Sequence, residues 1–428
     1  MRWVRVMGAV LLAIALAACA ANPQLTPLPE GTGGPASSSS TATPGDGETP
    51  PATVPGHELY GFLPYWEMDD EGIVEHVAAA PLTTLALFSV THTATGAINT
   101  SQRGHAMISS DTGSRLVRGA HDRGIRVELV YTSFGGPRNR KLLERDDLQA
   151  TVIASLVAYA GDLGVDGINV DIEALDPTLV PAFGGFVADL RAAITAADPA
   201  QQVSVSTGAH ALGAAMAVAA AAAGADRIFM MGYDYRTGRS DPGASAPLDR
   251  RDGENQSLRT SLDLYAALGV PPDRLLLGLP LYGVEWPVVG PVIGAPSTDR
   301  GAAWFPRANV PLLSDPGIVP LRDDIEQVEV YLLGSDGTVG PPSIDPAAPI
   351  DPSAPVEPWA PVEPAVSPAP DRTWRAIYVD SPETLAPKMA LANERGLAGS
   401  GFWAIGYERG LPGYTRLMER FVAGEPLP

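Results

Sequence analysis

Residues 166–173 read Asp-Gly-Ile-Asn-Val-Asp-Ile-Glu. In an extended chain successive side chains alternate between two faces. Ile168, Val170 and Ile172 then face one way, while Asn169, Asp171 and Glu173 face the other. The first face is wholly apolar and suits burial beneath helices. The second is wholly polar, and polar groups buried together are costly unless they bond to one another or to a ligand. The chemistry offered is proton transfer: like charge and desolvation both raise a carboxyl pKa, which suits Glu173 to general-acid work beside Asp171. A pair on one strand stands on one side of a reacting bond and leaves no acid opposite, so the attacking group would have to come from the substrate. The plainer alternative, a solvated strand edge, fits poorly with the apolar residues between.

The elements that must hold this column are legible downstream of residue 57. Short apolar runs alternate with helical patterns, the mark of an α/β fold. Strands are expected at 59–64, 84–90, 126–132, 167–173, 203–207, 227–233, 274–280 and 401–405, with helices at 179–196, 212–223, 258–268, 382–395 and 414–422. Eight strand–helix units fit a (β/α)8 TIM barrel better than a doubly wound sheet, and put Glu173 at the C-terminal end of strand four, where barrel enzymes place their chemistry. The rhythm breaks between Tyr282 and Trp374. With one strand-like run at 328–333 and a Pro-rich stretch at 341–370, residues 284–373 read as an insertion after strand seven without an independent core.

A formal charge of −20 excludes nucleic acid and anionic membrane surfaces as natural partners, and 45% hydrophobic residues supply a core. Arg2 and Arg5 precede an apolar run from Met7 to Ala18, too short to span a bilayer and suited to a secretory signal. It ends in Leu16-Ala17-Ala18-Cys19, which resembles the lipobox of bacterial lipoproteins. That resemblance implies cleavage before Cys19, a lipid on its sulfur and a protein held on the outer face of a bacterial cell membrane. Residues 1–19 are thus expected to be a lipoprotein signal peptide. Residues 20–56, rich in Pro, Ser, Thr and Gly, are expected to form a disordered tether with a reach of roughly 30–40 Å. The barrel spans 57–428. Cys19 is the only cysteine, so no intramolecular disulfide or multi-Cys zinc site exists. The histidines show no metal spacing; no metal or cofactor is expected, and the chain is expected to be a monomer.

The octapeptide resembles the Asp-Gly-x-Asp-x-Asp-x-Glu signature of glycoside hydrolase family 18, the chitinase-like barrels. Four further segments match that family in order: Ser133-Phe134-Gly135-Gly136, Met231-Gly232-Tyr233-Asp234, Gly278-Leu279-Pro280-Leu281-Tyr282-Gly283 and Gly401-Phe402-Trp403. The resemblance covers residues 58–425. It implies substrate-assisted hydrolysis of N-acetylhexosamine glycosides. Glu173 would be the acid and base. Asp171 would orient the acetamido group, and Tyr233 would bond its carbonyl. Asp234 would contact the sugar whose bond breaks, and Trp403 would form its floor. Asp166, Asn169, Met231, Ser133, Gly135 and Tyr282 fall at further motif positions and, with Tyr60 and Trp66, are expected to line the substrate site. Trp66 and Trp286 follow strands one and seven, as sugar platforms or as packing at the rim. Taken singly, the Gly-Gly segment reads as a tight turn, Met-Gly-Tyr-Asp as an ordinary strand end, and Trp403 as a core ring.

Asn169 departs from the signature, which has Asp there. An amide can hydrogen-bond Asp171 but cannot share a proton with it. Branches of the family acting on bacterial peptidoglycan, including spore-cortex lytic enzymes, resemble this chain in carrying Asn here. The segment from Tyr60 to Trp66, and Tyr233-Asp234-Tyr235 followed by Ala246-Pro247-Leu248, are similar to that branch too. The resemblance therefore implies cleavage of β-1,4 bonds beside N-acetylglucosamine, in peptidoglycan fragments or chitin. The competing reading is a weak or inactive barrel that binds glycans as a lectin; the acid at 173 favours the enzyme.

Overall fold

The structure, a computed structural model, describes residues 57–337, 339 and 373–428. The signal segment with Cys19, the tether 20–56 and the Pro-rich stretch 341–370 lie outside the described residues.

Seven strands open the fold: β1 (Glu58–Pro64), β2 (Thr84–Val90), β3 (Arg126–Phe134), β4 (Gly167–Glu173), β5 (Gln202–Gly208), β6 (Arg227–Met231) and β7 (Leu275–Pro280). Five strands follow between β7 and the last barrel strand: β8 (Gly283–Val288), β9 (Ala302–Trp304), β10 (Leu321–Asp323), β11 (Val328–Gly334) and β12 (Trp374–Val379). Then β13 (Gly399–Trp403) completes a closed barrel of order β1-β13-β7-β6-β5-β4-β3-β2, in which every pairing is parallel. This is the (β/α)8 barrel expected from the sequence.

Helices close the outer wall by ordinary periodicity. On the helix Asp146–Leu163 the buried residues are Leu148, Val152, Ile153, Leu156 and Ala160. On Val180–Ala197 they are Phe183, Phe186, Val187, Leu190 and Ile194. Both sets recur at three or four residues and form one apolar stripe. The outward residues of β4, Ile168, Val170 and Ile172, are buried in the same core, each worth about 1.5–3 kcal/mol when fully removed from water.

The barrel interior is divided. One part is aromatic and apolar, built on Tyr60, Phe62, Ala86, Phe88, Val130, Phe229 and Leu276. Phe62 meets Phe229 edge-on at 4.8 Å between centroids. Glycine makes room for that ring: a Cβ on Gly278 would lie 2.3 Å from Phe229, and one on Gly401 would lie 2.7 Å from it. The other part, where β3, β4 and β5 adjoin, is polar, with buried Glu128, Asn169, Asp171, Ser204 and Ser206.

The interval after β7 differs from the sequence expectation. Five strands form an antiparallel sheet of order β10-β11-β12-β8-β9 where one was expected, and they bury a cluster of their own around Trp286, Val330, Leu332, Trp374 and Tyr378. Strands of three residues such as β9 and β10 carry too little alternation to be read locally, and β8 pairs with β12 far along the chain. Trp286 is 0% exposed and donates from Nε1 to the Ser240 carbonyl at 3.1 Å. It is a core ring of this sheet, not a sugar platform. The sheet also grips the loop after β6, through Gly301 N–H to the Gly238 carbonyl at 2.8 Å and Leu248 N–H to that of Glu326 at 3.0 Å.

Candidate active site

Parallel strands deliver their C-terminal ends to one mouth of the barrel, and Glu173 stands there as the last residue of β4. Its main chain is clamped. The Glu173 carbonyl accepts from Gly135 N–H at 3.2 Å and also from Nδ2 of Asn139, whose Oδ1 accepts from Ser133 Oγ at 2.8 Å. Gly135 has φ 97°, a conformation that glycine adopts without steric cost. Ser133 and Gly135 therefore fix the strand end that carries the acid; neither bond is to a ligand. Asn139 went unnoticed in the sequence, where the only signal is an amide three residues past Gly136 on an otherwise basic helix start.

The electrostatics set the protonation of the column. Asp171 is 4% exposed, and its Oδ1 has no hydrogen-bond partner among the described residues. Burial lifts its pKa well above the ordinary carboxylate value, and the charge of Glu173 lifts it further. Burial and then the charge of Asp234 push Glu173 up to about 7. Asp234 is itself raised by burial to about 6, against the opposing pull of a hydrogen bond donated by the Tyr282 hydroxyl. Its backbone has φ 61°, and its N–H donates to Ser245 Oγ at 3.0 Å while Ser245 donates to the Tyr282 oxygen at 3.3 Å. Tyr233 meets the Tyr282 ring edge-on at 6.3 Å. The loop after β6 and the end of β7 thus bring Tyr233, Asp234 and Tyr282 to the acid.

An aromatic wall adjoins them. Trp403 is half-buried and packs edge-on against Phe88 at 4.7 Å and Trp66 at 6.2 Å. Trp66, also half-buried, donates from Nε1 to the Tyr407 hydroxyl at 3.1 Å. Met231 packs partly buried into the same cluster at the end of β6.

Three expected contacts lie elsewhere. Asp166 precedes β4 at the opposite end of the barrel, ~23 Å from Glu173 at a rise of ~3.3 Å per residue. There its Oδ2 accepts from Val127 N–H at 2.7 Å and pairs with His121 Nε2 at 2.9 Å, tying β4 to β3. Tyr60 is buried inside the barrel with its hydroxyl donating to Glu128 Oε2 at 2.7 Å, so it supports the column from below. Asn169 is bonded to Ser204 and Ser206 of β5, at 2.8 and 3.0 Å, and not to Asp171.

A model of the family described as glycosyl hydrolases family 18 matches residues 61–408. The chain belongs to that family. Mouse chitotriosidase-1 is 25% identical over 198 residues, which cover 40% of this chain and 41% of that relative. Among solved structures, the spore cortex-lytic enzyme SleL of Bacillus cereus superposes with a TM-score of 0.63 at 17% identity, over 87% of this chain and 76% of SleL. A family 18 chitinase from Cycas revoluta in complex with (GlcNAc)3 has a TM-score of 0.63 at 17% identity, over 85% of this chain and 99% of that one. At such identities the two superpositions speak for the fold.

Proposed function

We propose that the protein is a glycoside hydrolase that cleaves β-1,4 bonds beside N-acetylglucosamine, using the sugar's own acetamido oxygen as nucleophile. The observation that carries this reading is the Glu173 carboxyl, held at about 7 at the barrel mouth with Asp171 on the same strand. At neutral pH such a group is poised to give a proton and then take one back. Glu173 donates its proton to the glycosidic oxygen as the bond from the anomeric carbon breaks. The acetamido carbonyl oxygen closes on that carbon from the opposite face, forming an oxazolinium ion. Asp171 accepts a hydrogen bond from the acetamido N–H and holds it in line, and Tyr233 donates to the carbonyl oxygen. Water then adds at the anomeric carbon, returns a proton to Glu173, and the configuration is retained. Trp403 offers a ring face to the pyranose, and Trp66 extends that wall. Asp234 and Tyr282 bond the sugar hydroxyls.

Peptidoglycan fragments are the preferred substrate over chitin, supported by Asn169 at the position where the signature has Asp. The sequence around Cys19 supports a lipid-anchored monomer on the outer face of the cell membrane, with residues 20–56 as tether. Palmitate labelling lost in Cys19→Ala would test the anchor.

The test of the activity is release of chromophore from aryl N-acetylglucosaminides. Glu173→Gln should cost about 10³-fold in kcat, within the range of general-acid catalysis. Unchanged turnover in that variant would end the enzyme reading, and absent turnover with intact glycan binding would favour a lectin. Product masses from sacculi and chitin oligomers decide between the substrates.

A further inference from the structure

Trp66 stands in the loop after β1 and carries the aromatic wall past Trp403. Its one polar atom, Nε1, donates to the hydroxyl of Tyr407, which belongs to the loop after β13. The next residue, Glu67, is only 1% exposed. A carboxylate so buried needs a bonded cation, and that cation is Arg307, from the segment inserted after β7. Arg307 sits in the turn Pro306–Ala308 that follows β9. Its Nη2 donates to Glu67 Oε1 at 2.7 Å, and its Nη1 lies 3.5 Å from Asp70 Oδ2. Its main-chain N–H donates to the Tyr407 carbonyl at 2.8 Å.

These contacts close a circuit. Trp66 bonds Tyr407, Tyr407 bonds Arg307, Arg307 bonds Glu67, and Glu67 returns to Trp66 through the peptide bond. Loops after β1, β9 and β13 meet in it. Phe305 packs edge-on against Tyr407 at 4.7 Å, and Arg409 pairs with Asp70 Oδ2 at 2.6 Å, so neighbours brace two of its corners.

We propose that Arg307 is a positioning residue for glycan binding. It fixes Trp66 as the platform for the sugar beyond the one over Trp403, so the inserted segment sets the length of glycan that the site prefers. This rests on the function proposed above, but only on its binding half: the cleft must hold a chain of N-acetylglucosamine, cut or uncut. A ring already fixed loses little rotamer freedom when a sugar stacks on it. Removing the guanidinium leaves Glu67 as a buried acid without a bonded cation, and its Oε2 already has no partner among the described residues. Such an acid must turn outward to reach water, and the adjoining indole moves with it, away from Tyr407.

The experiment is binding, measured by NMR titration of N-acetylglucosamine and of its linear β-1,4 tetramer. The parent is the full chain carrying Glu173→Gln, so that turnover does not consume the ligand. R307A, R307K, W66A and W66A/R307A are made in that parent, with melting curves to establish folding. R307A should weaken the tetramer by about five- to tenfold, the net contribution of about one hydrogen bond, and the monomer by less than about twofold. W66A should weaken the tetramer by about tenfold or more. R307A should add nothing to W66A, because its effect passes through that ring. R307K keeps a cation beside Glu67 without the planar fork, and should stay within about threefold of the parent. Equal losses for monomer and tetramer in R307A, no loss at all, or a loss undiminished in the W66A background each overturn the proposal. So does a parent that binds the tetramer no tighter than the monomer. Should R307A fail to fold, Tyr407→Phe opens the circuit at Nε1 without stranding a charge, and must show the same length-dependent loss. A wild type inactive on aryl glycosides would defeat the proposed hydrolysis and leave these binding ratios to decide the role of Arg307.

Discussion

Replacing Asp234 by Asn should pull the basic limb of the activity profile downward. Glu173 sits at about 7 against an ordinary 4.5, a rise of about 2.5 in which burial outweighs the charge of Asp234. Asp234 thus contributes the smaller part of that rise, on the order of one pH unit at most. Asparagine is a fair probe for two structural reasons. Asp234 has φ 61°, a region where Asn is among the better-tolerated residues, and an amide oxygen can still accept from Tyr282. The charge effect also has a window. Asp234 titrates near 6, so below that pH it is neutral in the wild type too, and only the lost sugar contact separates the enzymes. Above about pH 7 the variant has less protonated Glu173, so the ratio of wild-type to D234N activity should grow by up to about tenfold between pH 5 and pH 8. The assay is kcat/KM on the aryl glycoside at half-unit intervals of pH. A ratio constant with pH would show that Asp234 holds the sugar without tuning the acid, and an upward shift of the limb would refute the electrostatic account.

Three further outcomes follow from the same geometry. Asp171 keeps its proton in the fold at pH values where the unfolded chain has released it, so stability falls as pH climbs above the unfolded carboxyl value of about 3.9. Asp171→Asn should therefore melt with the wild type near pH 4 and a few degrees above it at pH 7; thermal melts in which the gap narrows as pH rises would contradict this. Asn139→Ala strands Ser133 Oγ and removes one donor from the Glu173 carbonyl. It should cost ~1–3 kcal/mol in urea unfolding and lower kcat more than it raises KM. Equal stability would mean that the clamp is idle. Lys388 is buried in an ion pair with Asp380, which also accepts from Thr384 Oγ1 at 2.9 Å. Lys388→Ala leaves that carboxylate alone and should destabilise by about 3–5 kcal/mol, whereas a loss under 1 kcal/mol would show that Asp380 is neutral in the fold.

The sequence by itself determined the barrel and placed Glu173 at the end of its fourth strand. Alternation in 167–173, and the recurring strand–helix units around it, depend on local periodicity, which a linear pattern records faithfully. The placement of Asp171, Tyr233, Asp234, Tyr282 and Trp403 at strand ends followed from that register. Tertiary structure alone decided which residues near a motif do something other than the motif suggests. Asp166 shares the octapeptide yet stands at the far end of the barrel, and Ser133 serves a carbonyl through Asn139. The five-stranded sheet was hidden because its pairings join segments far apart in the chain. The partners of Asn169 were hidden for the same reason: Ser204 and Ser206 lie on β5 and Glu128 on β3, and only closure of the barrel brings three strands' inward faces to one point. Spacing along a strand tells which way a side chain points, but the group it meets there is fixed by the neighbouring strand's register.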